Sequence, residues 1–266
     1  MNDTNPPSSI PPQIPPWSVP PVAGTPRALG DDPAEREPIP GLVSAVECLL
    51  RQPRRVMFQL RQPGAGKLTA AMLFGAVLCG LVYGVVVGSF SGGVQWWAAP
   101  VKIAAGLLIS ALICLPSLYI FVCLSGSQAR LAEVFGLVAG LLMLETLLLV
   151  GFAPVAWLFS QSTESLCWMG TLHLLFWLIS TIFGLRFLNA AFAHTNARSP
   201  AGLRTWIVIF VLVVLQMTAA LRPLVGTADT FLPAEKKFFV SHWFDCLDQA
   251  GRETWRHSRE RTRLRD

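Results

Sequence analysis

The sequence predicts an all-α fold: a polytopic membrane helical bundle with five transmembrane helices. Three observations predict it. Apolar stretches recur at 68–90, 103–124, 134–152, 166–188 and 206–221, divided by short polar segments. Each approaches or exceeds the ~20 residues a helix needs to cross a hydrocarbon core of ~30 Å. Hydrophobic residues make up 53% of the 266-residue chain and charged residues only 14%, which lies outside the usual range of a soluble domain. Finally, cations gather on alternate connections, as they do in chains threaded through a bilayer.

Taken in order, residues 1–40 are rich in proline and include Ile10-Pro11-Pro12-Gln13-Ile14-Pro15-Pro16. Such a tract buries too little surface to fold and favours extended polyproline II, so a disordered tail is expected. It is either a docking segment for a cytoplasmic partner that recognises proline or a plain solvated arm. No apolar core follows a basic start, so a cleaved signal peptide is not expected and the first span directs its own insertion. Residues 41–67 mix Val43, Val46, Leu49, Leu50, Val56, Met57 and Leu60 with arginines. Pro53 splits them into two amphipathic pieces, expected to lie on the inner leaflet among anionic headgroups.

The five spans occupy 68–222. Between the first two, Trp96 and Trp97 fit an aromatic belt, and Pro100 fits the start of the second helix. Short connections at 125–133 and 160–165 make spans two, three and four antiparallel neighbours. Arg222-Pro223 ends the fifth span. The remainder, 223–266, is an external tail in which Phe238, Phe239, Trp243, Phe244 and Leu247 suit an interfacial helix.

Orientation follows from charge. Arg51, Arg54, Arg55, Arg61 and Lys67 precede span one, Arg130 follows span two, and Arg186, Arg198 and Arg204 end or follow span four. The other connections offer the single cation Lys102. The positive-inside rule therefore puts the N-terminus in the cytoplasm and, with an odd number of spans, the C-terminus outside. These charges flank helices and have no aromatic interleaving, which argues against nucleic acid.

Small residues at Ala76, Gly80, Gly84 and Gly88 recur every fourth position and form a stripe on which a second helix can approach closely. Gly136 with Gly140, and Gly106 with Ser110, repeat the pattern. The stripe serves packing within the chain or a homo-oligomer. Pro116 lies inside span two and kinks it, with Ser117 and neighbouring helices meeting the freed carbonyl.

Glu145 is the candidate functional residue, because a carboxylate in mid-span is costly and normally faces the bundle interior. Counted from the outer side, Glu145 and His173 fall at depths of about 14 Å and 10 Å. Gln216 and Tyr83 map to the same half, so the four can form an intramembrane polar cluster. Such a cluster is either a proton or ion pathway, with Glu145 as carrier and His173 titrating near neutrality, or a structural hydrogen-bonded acid.

Other chemistry finds no support. Pro63-Gly64-Ala65-Gly66-Lys67 is not a phosphate loop: Arg61 stands at the first glycine position, Leu68 replaces Ser or Thr, and no strand precedes it. Cys79, Cys114, Cys123 and Cys167 lie in apolar spans, and Cys48 and Cys246 lie on opposite sides. Neither a disulfide framework nor a metal site is indicated, and no nucleophile–base pair, so neither an enzyme nor a cofactor is expected.

Short blocks resemble those of a recurrent bacterial multi-span membrane-protein family with no assigned activity. They are Gly84-x3-Gly88-Ser89-Phe90-Ser91-Gly92-Gly93, Pro100-x-Lys102, Leu115-Pro116-Ser117-Leu118-Tyr119, Ala153-Pro154-Val155 and Leu221-Arg222-Pro223. The resemblance implies a bacterial inner membrane and carries over no catalytic residue. In layout alone, a cytosolic tail before five helices is similar to Yip1-type proteins. The functional expectation is a non-enzymatic membrane scaffold or assembly factor. The alternative is a small transporter or channel built on Glu145 and His173.

Overall fold

The computed structural model describes residues 28–91, 95–162, 166–194 and 201–220, and every regular element among them is helical. Three short helices come first: α1 (Pro33–Arg36), α2 (Gly41–Arg51) and α3 (Pro53–Leu60). Five long ones follow: α4 (Gly66–Ser91), α5 (Gln95–Leu124), α6 (Leu131–Ser162), α7 (Leu166–Ala193) and α8 (Ala201–Ala220). Four apolar segments, Gly66–Phe90, Trp96–Leu124, Leu131–Ser162 and Trp168–Ala193, are long enough to cross a membrane. The apolar stretch in α8, Ala201–Met217, is shorter.

The helices are longer than the apolar runs suggested, for a common reason. Residues 91–102 were expected to be a connection, yet α5 begins at Gln95 and carries Pro100 and Lys102 inside it. Lys102, expected at an exposed boundary, is buried at 1% exposure. Likewise α6 continues ten residues past Phe152 and runs through Pro154. Proline interrupts a membrane helix less than a soluble one, because neighbouring helices can meet the freed backbone groups.

α6 is the central helix, with α4 along one side and α7 along another. α5 packs chiefly on α4 and touches α6 more lightly, and α8 packs on α5. Close approach depends on small residues. A Cβ added to Gly140 would meet the Phe187 ring of α7 at 2.8 Å, and one added to Gly136 would meet Leu60 of α3 at 2.6 Å.

α2 and α3 do more than rest on a leaflet. Ala45, Cys48 and Leu49, spaced for one helical face, are buried with Val56, Met57 and Leu60. These residues join the main core, with α2 against α4 and α6 and α3 reaching α4, α6 and α7. Leu42 penetrates so far that a Cβ on Gly75 would meet it at 2.8 Å. Val43 and Leu50 stay exposed and are free to contact lipid. The tail expected over 1–40 is structured from Ala28 onward, since α1 and its flanks fold against α3. The proline tract up to residue 27, and the tail over 223–266 that was expected to be external, lie outside the described residues.

Candidate functional site

The stripe Ala76, Gly80, Gly84 and Gly88 is buried in α4. Its partner is α5 of the same chain: Gly84 faces the backbone of Pro100, and Gly80 faces Ala104. The face weighed for self-association is thus covered within one molecule. On α5, Ser110 Oγ donates to the Gly106 carbonyl at 2.7 Å.

Pro116 has an unexpected companion. The Cys114 carbonyl accepts from Ser117 Oγ at 2.8 Å and also from Trp206 Nε1 of α8 at 2.8 Å. Trp206, Phe210 and Val214 recur every fourth residue, are all buried, and fix α8 to α5, with the two rings stacked 5.0 Å apart. Trp206 drew attention only as the start of an apolar run. Its spacing with Phe210 and Val214 was the available signal.

The expected polar cluster divides. Glu145 on α6 is fully buried, and Thr181 Oγ1 of α7 donates to its Oε1 at 2.8 Å. His173 Nδ1 shares a 2.7 Å hydrogen bond with the Tyr83 hydroxyl of α4, and the two rings meet edge to face. Gln216 is exposed on α8, which packs on α5, and takes no part. The depth match of Glu145 with His173 fails because α6 runs on to Ser162. Glu145 then lies about 26 Å from the Ser162 end of its helix, level with Thr181 and about 12 Å deeper from that end than His173. Residues between them on α7 bridge that distance, and none was singled out from sequence. Trp177, Ser180 and Thr181 fall four, seven and eight positions after His173, the repeat of one helical face.

Glu145 Oε2, His173 Nε2, Trp177 Nε1 and Ser180 Oγ are buried without a hydrogen-bond partner. Trp177 is nevertheless a hydrogen-bonding neighbour of Glu145, whereas an unsatisfied polar atom in an apolar interior costs ~1–3 kcal/mol, which singles out His173 and Ser180 on the same seam. An apolar recess lined by Ala76, Val77, Ala104, Leu107, Leu108, Leu142 and Thr146 lies nearby, and Glu145 does not line it.

A second polar centre joins the N-terminal helices to the bundle. Glu35 is buried and accepts from the Gly30 N–H and Arg54 Nε at 2.6 Å each. Arg55 pairs with Glu37 at 3.4 Å, and Gln59 caps carbonyls of residues 35, 36 and 37. Arg61 is the clamp. It donates to Glu133 of α6 at 2.8 Å and to the His194 carbonyl after α7 at 3.3 Å. Burial opposes the charge on Glu35, but the hydrogen bonds from Arg54 and Gly30 outweigh it and hold the carboxyl below its ordinary range. Burial, then the charges of Arg54 and Arg61, hold His194 below its ordinary value. Near neutrality Glu35 is therefore ionised and His194 neutral, and the collar uses the Glu35 carboxylate and the backbone carbonyl of His194.

Among the described residues no cluster of metal-ligating side chains occurs. Cys48, Cys79, Cys114 and Cys123 are free thiols. Comparison with protein-family models, curated proteins and solved structures finds no match to this chain.

Proposed function

We propose that this protein is a non-enzymatic scaffold or assembly factor of a bacterial inner membrane, which spans the bilayer five times and presents a proline-rich arm to a cytoplasmic partner. The observation that carries this reading is the collar. Residues 28–61 are tied to the bundle by Arg61 through both Glu133 and His194. An arm leaving such a collar starts from a fixed point on the membrane surface. A solvated tail with no role would need no clamp of this kind.

The orientation rests on how polar groups divide between the two ends. Arg51, Lys67, Arg130 and Arg204 are exposed near one end of the helices, with Arg186 two turns in from it. Exposed Trp96, Trp97, Trp157 and Trp168 mark the other. Cations suit an anionic inner leaflet and tryptophans the opposite interface. α8, at 20 residues, is about 30 Å long, enough for a fifth crossing. The C-terminus is then external.

The test is crosslinking in intact cells of the full chain, a deletion of residues 1–27, and a variant with Pro11, Pro12, Pro15 and Pro16 changed to alanine. The reading expects one discrete crosslinked complex with the full chain, lost in both variants while membrane levels hold. A complex retained in both variants would remove the arm from the function.

A further inference from the structure

We infer that Glu145 is an exchangeable proton-binding site inside the bundle, reached from its outer half along the His173 face of α7. This is an activity separate from presenting the arm.

The geometry argues for exchange over a purely structural acid. A structural acid would bury both oxygens in well-formed hydrogen bonds, whereas Glu145 at 0% exposure has one such bond, from Thr181 to Oε1, with Trp177 of α7 as its second hydrogen-bonding neighbour. Its Oε2 is buried and unpartnered. Ionised, that oxygen calls for a donor; protonated, it becomes one and calls for an acceptor. Ser180, also at 0% exposure, has a free hydroxyl that can serve either state. Trp177, beside Glu145, and then His173 Nε2, which has no hydrogen-bond partner, continue the polar atoms outward along about 12 Å of α7. Tyr83 holds His173 by Nδ1, which leaves Nε2 as the ring atom able to take or release a proton. Gly184 makes the room: a Cβ there would meet Leu141 at 3.3 Å and lie 3.9 Å from Glu145 Cβ.

Of the other charged groups, Arg186 is exposed on α7, and Lys102 precedes Ile103, which packs against the cluster containing Tyr83. Lys102 is buried on α5 and engaged in contacts of its own. Arg54 and Arg55 of α3, and Arg61 just after it, are paired in the collar. Around His173, Tyr83, Val87, Leu149, Ala153, Ala156 and Phe176 form a largely apolar cluster, and Phe152 stacks on Phe176 at 4.7 Å. The site is therefore occluded, and a proton reaches it when this layer opens.

The experiment uses the full chain in lipid nanodiscs and the apolar probe dicyclohexylcarbodiimide, which modifies buried carboxyls only in their protonated form. Peptide mass mapping should find modification at Glu145. Its rate should rise about tenfold per unit fall in pH while the carboxylate is the major form, as the protonated fraction does. Glu145→Gln preserves side-chain shape and should abolish it, with unchanged elution in size exclusion. His173→Asn should slow labelling after a pH drop at least severalfold. Absent labelling, pH-independent labelling, or equal labelling of the Gln variant would overturn the site. Unchanged kinetics in His173→Asn would overturn the route.

Discussion

Gly84→Ala is expected to destabilise the bundle, whereas Gly80→Ala, one turn away on the same stripe, is expected to leave it intact or strengthen it. A Cβ at Gly84 collides with the Pro100 backbone, and a backbone cannot rotate out of the way as a side chain can. Overpacking of this kind costs ~1–3 kcal/mol and more where the obstacle is rigid. At Gly80 the new methyl would sit 3.5 Å from Ala104 Cα, ordinary contact distance. There the helix gains from replacing glycine, by up to ~1 kcal/mol. Thermal unfolding in detergent, followed by circular dichroism, distinguishes the two. Equal effects would mean that α4 and α5 do not pack in this register.

Trp206→Ala is the second large effect. It removes the buried ring stacked on Phe210 and the donor to the Cys114 carbonyl beside Pro116. Loss of a buried aromatic costs ~3–5 kcal/mol, while an interhelical hydrogen bond within a membrane averages only ~0.6 kcal/mol. Trp206→Phe should therefore lose little stability and Trp206→Ala much more. Since α8 packs on α5, the alanine variant should expose α8 to protease while α4, α6 and α7 stay protected. Uniform unfolding of all five helices would contradict a peripheral α8.

The apolar runs announced the long helices, because in lipid every backbone group must be satisfied within the segment. The helix ends were not announced. Pro100, Lys102 and Pro154 look like boundaries in sequence, yet α5 and α6 absorb them. That one error displaced Glu145 from Thr181 to His173 in the depth reckoning. The small-residue stripe was visible as a period of four, but its partner was not, since Pro100 and Ala104 carry no sign of what they face. The collar was the least visible part. Glu35 pairs with Arg54 across 19 residues and Arg61 with Glu133 across 72, separations that no local pattern records. The face running from His173 through Trp177, Ser180 and Thr181 to Gly184 does follow helical spacing and was open to reading.

Everything proposed for the arm and for the proton site depends on which ends of the helices face the cytoplasm. The direct measurement is labelling of single cysteines in intact cells with a membrane-impermeant maleimide, the native cysteines having been replaced. Gln62 and Gln128 are exposed at the collar end, and Gln161 is exposed at the tryptophan end. Cysteine at 161 should react at once, and cysteines at 62 and 128 only after the cells are permeabilised. Reaction at 62 and 128 with protection at 161 would invert the molecule, and reaction at all three would remove it from the bilayer.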